Sequence, residues 1–259
     1  MRHAQLRSAC LQLAGTLLAL AFVPSNQAKA VALAAWWTLT FRGLSRAEWL
    51  LFLGGSALFT ALDIAAVRQG SFAFSHPDVL GLPWWEPTMW GFYLVHARRL
   101  VGGAEGKARP RLLAAGVLAL VFAGAFMAAS DSGIRFLTTT IALAAALCFF
   151  HSRCDLLGTG YMILLGAAVE YVGVWSGQWS YPDAPAGGVP LWFATMWGAV
   201  GLFLGRLAAP LAERAAGAGR SAPVLAQGEV VGARRVVGLD LDDESLGDER
   251  AQVAGDGLA

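Results

Sequence analysis

Long apolar blocks fill the sequence up to residue 212, and they constrain the fold more than any other feature. A helix needs about 17 to 25 mainly apolar residues to cross the hydrocarbon core of a membrane. Charged residues make up only 14% of the 259-residue chain, compared with roughly 25% in soluble domains. We therefore predict an all-α polytopic membrane protein with about eight transmembrane helices. The second block is short, and Glu86 and His96 interrupt the fourth. The blocks extend roughly over residues 8–24, 29–42, 47–68, 83–99, 111–129, 134–151, 155–175 and 189–209.

The distribution of Lys and Arg predicts the orientation of these helices. Basic residues gather in the cytoplasmic loops of membrane proteins. With a cytoplasmic N-terminus, eight spans place sixteen of the nineteen Lys and Arg inside and leave only Lys29, Arg68 and Arg135 outside. We therefore expect a multi-pass protein of the cell (inner) membrane with both termini in the cytoplasm. A formal net charge of +1 provides no positive field that would attract a nucleic acid, so we expect no nucleic-acid partner. The apolar blocks lead us to expect membrane lipids as partners.

The N-terminus allows a second interpretation. Arg2 and Arg7, the apolar run 11–23 and the sequence Ala28-Lys29-Ala30 are typical of a cleavable signal peptide. Cleavage would leave seven spans with the same orientation. A retained helix is favoured because this segment has a counterpart in the second half of the chain.

That counterpart comes from an internal repeat. The sequence PWWEPTMWG at 83–91 returns as PLWFATMWG at 190–198, with six of nine positions identical. The offset of 107 residues also pairs Asp63 with Glu170. We predict two parallel four-helix repeats, 1–106 and 107–212, related by an axis along the membrane normal. The acidic segment 213–259 is too poor in large apolar residues to form a core, and we predict a disordered cytoplasmic tail.

Three carboxylates within the apolar frame are the candidate catalytic residues. An ionisable side chain in hydrocarbon costs at least about 2.5 kcal/mol and usually marks function. Asp63 and Glu170 occupy equivalent levels of the two repeats, and the predicted axis would bring them together. Glu86 has no acidic equivalent, because Phe193 occupies its position in the second repeat. The alternative is structural: Asp63 and Glu170 would bond to neighbouring helices, and Glu86 would cap a helix N-terminus.

Repeated aromatic residues are the candidate substrate-binding groups. Four tryptophans recur at equivalent positions, and their rings would stabilise a cation if they lined a cavity. The alternative is an interfacial belt or ordinary packing. The loops 69–82 and 176–189 would contribute further rings to an outer vestibule. The expected ring set is Trp85, Trp90, Trp192, Trp197, Phe74 and Tyr181.

No pattern in the sequence indicates a metal or a cofactor. His76, His96 and His151 are far apart, and the pairing His151 to Cys154 is too short a pattern to indicate zinc. The glycines follow neither the dinucleotide-binding nor the P-loop spacing. We therefore expect no metal and no cofactor.

The acids and rings together resemble a known family. The stretch 63–90, DIAAVRQGSFAFSHPDVLGLPWWEPTMW, resembles the membrane-embedded lycopene cyclases of the carotenoid pathway, which contain an acid, a Gly-aromatic-x-aromatic turn and a Pro-x-Glu-Glu signature. The second copy, EYVGVWSGQWSYPDAPAGGVPLW, is similar to the related carotenoid hydratases. The sequence departs from the cyclase signature at Trp85, which stands where the first Glu of the pair is expected.

The resemblance implies an isoprenoid enzyme, a lyase or isomerase of cyclase or hydratase type. Such an enzyme protonates a carbon–carbon double bond of a lipophilic small molecule, and cyclisation or hydration follows. Glu86 would be the acid, with Asp63 and Glu170 setting its protonation or acting as base. The alternatives are a transporter or lipid-binding membrane protein with no catalysis, or a scaffold whose acids only bond between helices. The oligomeric state stays open.

Overall fold

The fold is a bundle of helices that follows the predicted blocks closely. The structure is a computed structural model that describes residues 2–101, 111–182, 184 and 186–218. Its α-helices are α1 Arg2–Phe22, α2 Asn26–Phe41, α3 Arg46–Arg68, α4 Glu86–Val101, α5 Leu112–Ala128, α6 Ser132–Phe149, α7 Arg153–Trp175, α8 Trp192–Phe203 and α9 Ala209–Ala218. A π-helical segment, Leu204–Ala208, joins α8 to α9, so that one helical run extends over Trp192–Ala218.

Two short strands lie at one end of the bundle. Strand β1, Ala73–Phe74, pairs antiparallel with β2, Trp179–Ser180. Ala73 is the partner of Ser180 and Phe74 is the partner of Trp179. A 3₁₀ turn, Ala186–Gly188, follows β2. We call this end of the bundle, where α3 and α7 end and α4 and α8 begin, the ribbon end.

Glycines let the chain reverse at the ribbon end. Helix α7 ends with the Gln178 N–H donating to the Gly173 carbonyl, as in a Schellman motif, and Gly177 has a φ of 71°. Helix α3 ends in the same way, with the Ser71 N–H donating to the Ala66 carbonyl. A left-handed residue at this position turns the chain back over the helix end, where it forms the strand.

Capping boxes begin α3 and α7 at the opposite end. In α3, the Ser45 hydroxyl accepts from the Glu48 N–H while Glu48 accepts from the Ser45 N–H. Ser152 and Asp155 do the same for α7. Each capping acid also binds an arginine from the other arm of its helical hairpin. The Arg99 Nε lies 2.6 Å from Glu48, and the Arg206 Nη2 lies 2.5 Å from Asp155.

Within the described ranges, five helical segments are long and apolar enough to cross a membrane, and α5 is a shorter apolar helix. The five segments are Gln5–Phe22, Arg46–Arg68, Ser132–Phe149, Arg153–Trp175 and Trp192–Ala218. Helices α2 and α4, with 16 residues each, match the predicted blocks that were short or interrupted. The protein is therefore an all-α polytopic membrane protein.

Helix α4 lies at the centre of the bundle. Every residue from Met89 to Ala97 is buried, and the helix packs against α1, α3 and α7. A helix buried on all sides has no lipid-facing surface, so its polar side chains must find partners within the protein. His96, for example, lies 3.1 Å from Gln12 of α1 and 2.5 Å from the Tyr161 hydroxyl of α7.

Several elements recur at the predicted offset. The bounds of α3 and α7 differ by 107 residues at both ends, and so do the two arginine–acid pairs. The predicted axis and the domain limits stay predictions, since the boundary at 106/107 lies outside the described residues. Helix α9 extends to Ala218, past the predicted start of the tail at Glu213. The rest of that segment also lies outside the described residues.

We expect Asp155→Asn to destabilise the bundle strongly. Asp155 and Arg206 have side chains only 5% and 16% exposed, and breaking a buried pair by removing one charge costs about 3 to 5 kcal/mol. The matched control is Glu213→Gln at the Arg98 pair, where Glu213 is 56% exposed and about 0 to 1 kcal/mol is expected. Thermal unfolding of both variants in detergent checks this, and equal melting temperatures would contradict it.

Candidate functional site

Glu170, on α7, lies at the centre of a set of hydrogen-bond donors. Its Oε2 accepts from the Trp179 Nε1–H at 3.0 Å and from the Tyr181 hydroxyl at 2.6 Å. Its Oε1 accepts from the Trp197 Nε1–H at 3.0 Å. Glu170 is buried at 6% exposure. Three donors bind both oxygens of this buried carboxyl group, so Glu170 is well suited to a fixed structural role.

Two glycines on α7 make room for these donors. Gly166 and Gly173 lie one turn before and one turn after Glu170. A Cβ added at Gly166 would lie 2.2 Å from the Trp197 ring, and one at Gly173 would lie 2.0 Å from the Trp179 ring. Both distances are far inside van der Waals contact. The sequence G-A-A-V-E-Y-V-G therefore holds the acid between two indole-binding surfaces.

Asp63, on α3, holds the equivalent position in the first half. Its Oδ2 accepts from the Trp90 Nε1–H at 2.7 Å. Its second neighbour is Glu86, whose carboxyl group contacts both Asp63 and Trp90. Asp63 also lies close enough to Glu170 for an electrostatic interaction. The three acids predicted from the sequence therefore lie together in one centre.

Glu86 is the member of this centre with spare hydrogen-bonding capacity. It begins α4 and is only 4% exposed. Its Oε2 has no hydrogen-bond partner among the described residues. Helix capping alone does not account for it, because the carboxyl group faces Asp63. Two carboxyl groups in contact can hydrogen-bond to each other only when one of them holds a proton.

Two more polar groups without partners lie along α3. Among the described residues, the buried hydroxyl oxygens of Ser56 and Thr60 have no hydrogen-bond partner. Ser56, Thr60 and Asp63 recur at helical spacing and share one face of α3. That face packs against α4, since a Cβ at Gly91 would lie 2.5 Å from the Ser56 hydroxyl. We call Ser56, Thr60, Asp63 and Glu86 the polar stripe.

Stacked aromatic rings enclose the acids. Trp90 stacks on Trp197 with ring centroids 4.7 Å apart, and Phe59 stacks on the other side of Trp90 at 4.1 Å. Tyr93 lies edge-on to both tryptophans. Above them, Phe74 contacts Trp85 and Trp179, and Tyr181 contacts Trp192. The site thus contains all six rings of the predicted set: Trp85, Trp90, Trp192, Trp197, Phe74 and Tyr181.

Exposure separates the belt tryptophans from the site tryptophans. Trp175, Trp84 and Trp49 are 75%, 55% and 49% exposed, as expected for an interfacial belt. The four repeated tryptophans are at most 7% exposed, so the belt interpretation does not apply to them. Trp179 and Tyr93 were not predicted as site residues. The offset pairs Trp179 with Phe72, which has no donor, and nothing in the sequence shows which way Tyr93 points.

The described residues contain no group of three His, Cys, Asp or Glu side chains that could hold a metal ion. Buried His96 bonds to Gln12 and Tyr161, and the exposed His151 lies 3.2 Å from the Cys148 carbonyl. The side chains that the site brings together carry carboxyl groups, hydroxyl groups and aromatic rings.

Comparison with solved structures decides the fold. The chain matches the crystal structure of MvINS, a mycobacterial Insig homolog from Mycobacterium vanbaalenii, with a TM-score of 0.55 and 21% identity. The match covers 67% of this chain and 98% of that chain. The chain has an Insig-like fold. No protein-family model matches the sequence, and no curated protein matches it either.

The Insig-like fold overturns the resemblance to the carotenoid-pathway proteins. The predicted relation to lycopene cyclases and carotenoid hydratases is wrong, because the fold that the chain matches is that of an Insig homolog. The quoted motifs have another physical origin. Gly70 and Gly177 are needed for the chain reversal, and the acids and tryptophans bind each other. The catalytic roles given to Glu86, Asp63 and Glu170 stay predictions.

We expect Gly166→Ala to displace the Trp197 indole from Glu170. The added methyl group overlaps the ring, and overpacking of this kind typically costs about 1 to 3 kcal/mol. The matched control is Gly160→Ala on the same helix, where nothing lies within 4 Å of the added Cβ. That variant should be neutral or stabilised by up to about 1 kcal/mol.

Thermal unfolding and tryptophan fluorescence of the two purified variants provide the measurement. A red-shifted emission and a lower melting temperature are expected for Gly166→Ala alone. Equal behaviour of the two variants would contradict the close contact between Gly166 and Trp197.

Proposed function

We propose that this protein binds an amphipathic lipid within the membrane and recognises the lipid's hydrogen-bonding group through Asp63 and Glu86. Its place as a membrane protein with an Insig-like fold supports a role of this kind. The proposal assigns binding without catalysis, which the sequence left open as an alternative to an enzyme. Binding of this kind requires only hydrogen bonds between the two carboxyl groups and the lipid, and no chemical reaction.

The observation behind the proposal is the Oε2 atom of Glu86, which is buried without a partner among the described residues. Leaving such a group unsatisfied costs about 1 to 3 kcal/mol, and more when it is charged. A ligand hydroxyl or amide would remove that cost. The site would thereby gain affinity for a polar group that arrives on an apolar molecule.

The polar stripe supports a path for the ligand along α3. The unpartnered hydroxyls of Ser56 and Thr60 lie on the same face of α3 as Asp63. Along the helix they lie farther from the ribbon end than Asp63 does. Leu53, three residues before Ser56 on α3, is 58% exposed, as expected for a surface in contact with lipid. A lipid beside α3 would place its chain against Leu53 and its polar group near the stripe.

Glu170 is less suited to this role. Its two oxygens already accept from three donors, so a ligand would have to displace one of them. The two halves therefore differ. In the second half donors already occupy both oxygens of Glu170, and in the first half Glu86 offers hydrogen-bonding capacity to a ligand.

We further propose that the ribbon end faces away from the cytoplasm and that the protein lies in the cell (inner) membrane with both termini cytoplasmic. The bias of basic residues in the sequence supports this orientation. Arg99 and Arg206 pair with Glu48 and Asp155 at the opposite end of the bundle, as expected for the cytoplasmic side.

We expect Glu86→Leu to lose the bound lipid while keeping the fold. Leucine fills a similar volume and removes the unpartnered Oε2 atom, and Asp63 keeps the Trp90 Nε1–H as a donor, so the fold should be retained. Lipid that co-purifies with the protein, quantified by mass spectrometry per mole of protein, should fall at least tenfold. Glu86→Gln, which keeps an acceptor and adds donors, should retain a measurable fraction.

Glu213→Gln is the matched control, because it alters an exposed carboxylate at the other end of the molecule. Its lipid content should equal that of the wild type. A Glu86→Leu protein with wild-type lipid content and a wild-type or higher melting temperature would rule out the proposed binding site. A chemically altered lipid in the wild type alone would show turnover and would overturn the assignment of binding without catalysis.

A further inference from the structure

Arg135 is a buried cation that the proposed lipid site does not use. It lies on the first turn of α6, close to the ribbon end, and is only 3% exposed. Its Nε and Nη2 both donate to the Ala129 carbonyl, at 3.0 and 2.7 Å. No carboxylate of the described residues forms an ion pair with it. Burying a guanidinium group without a counter-ion costs free energy of folding, so the presence of Arg135 at this position calls for a physical reason.

Two aromatic rings hold the guanidinium group in place. Its central carbon lies 5.1 Å from the centre of the Phe126 ring and 5.2 Å from that of Trp192. These contacts stabilise the charge, but they supply no hydrogen-bond acceptor. The Nη1 group has no acceptor among the described residues. The group is therefore fixed in orientation and has unused donors.

A small cavity opens beside this group. Its lining includes Arg135, the hydroxyl-bearing residues Ser71, Ser130 and Ser132, and the ring of Tyr181. The Ser71 hydroxyl is buried and has no hydrogen-bond partner among the described residues. The cavity volume is about 30 Å³, and about 10 to 15 Å³ on the same measure is enough to hold one water molecule. The cavity therefore has room for about two water-sized atoms of a larger group, but not for a whole lipid.

We propose that this cavity binds an oxyanion of the phosphate or carboxylate type, held by Arg135 and the Ser71 hydroxyl. The planar guanidinium fork matches such anions in shape and charge, and a serine hydroxyl adds a donor. The cavity lies at the ribbon end, where the headgroup of an anionic lipid would sit while its chains stay in the membrane. The same chemistry would also accept free phosphate. This site stands apart from the Asp63–Glu86 centre and does not depend on the function proposed for it.

The test measures binding to the full-length protein purified in a neutral detergent. Phosphatidylglycerol and phosphatidylcholine with identical chains are titrated separately and followed by native mass spectrometry. Inorganic phosphate is titrated in a third arm, with the melting temperature as the readout. We expect at least tenfold tighter binding of phosphatidylglycerol if the anion is a lipid headgroup. A phosphate-dependent rise in melting temperature is expected if the anion is free.

Arg135→Gln should reduce the effect of the anion at least fivefold in whichever arm shows it. The matched control is Arg68→Gln, which removes an exposed basic residue near the same end of the bundle and should change binding less than twofold. If Arg135→Gln does not fold, Ser71→Leu keeps the proposal testable. That variant fills the cavity, leaves the guanidinium in place and should cause the same loss.

Two results would overturn the proposal. One is a wild-type protein with no preference for phosphatidylglycerol and no response to phosphate. The other is a folded Arg135→Gln or Ser71→Leu protein that retains the full preference. The lipid content of the Glu86 variants is measured separately, so failure of this proposal is distinguishable from failure of the proposed lipid site.

Discussion

A carboxylate inside an apolar bundle needs hydrogen-bond donors, and the architecture around Glu170 meets that need. Two of its three donors come from the segment that follows α7, and the third comes from α8. The chain therefore has to turn back immediately after α7, and α8 has to pack closely enough for an indole to reach the acid. The left-handed turn at the end of α7 and the glycines on either side of Glu170 are the sequence features that permit both.

Asp63, in the first half of the chain, is surrounded by a different set of hydrogen-bond partners. Where α7 has Gly166, the offset places Phe59, and its ring stacks on Trp90 instead of leaving room for it. Asp63 then has one indole donor and a second acid as neighbour. Some features recur in both halves: Lys29 packs over Trp85 as Arg135 packs over Trp192. The halves thus share a frame and differ in the hydrogen-bonding state of the acid that each one holds.

The sequence predicted the helices well because apolar length is a local property. Helix α3 was predicted at 47–68 and extends over Arg46–Arg68. The eighth block was predicted to end at residue 209, but the helix continues to Ala218, since the Ala-rich stretch with Glu213 stays helical after the apolar run stops.

The acids and rings of the site were predicted from the repeat and from the rarity of charge. The contact between Asp63 and Glu86 and the donor role of Trp179 depend on helix rotation and loop path, which no single sequence displays. The family prediction was wrong because it rested on short acid, glycine and tryptophan motifs, and in this chain those residues serve chain reversal and contacts with each other.

Pairing at the ribbon end joins positions that are equivalent at the offset. Ala73 pairs with Ser180, and Trp90 stacks on Trp197. Contacts between equivalent positions are those that two identical subunits form across a two-fold axis. Glu170 and Asp63 are also paired by the offset, but three donors bind Glu170, whereas one indole and a second acid contact Asp63. The two-fold relation of the strand and ring contacts therefore does not extend to the hydrogen bonds of the two acids.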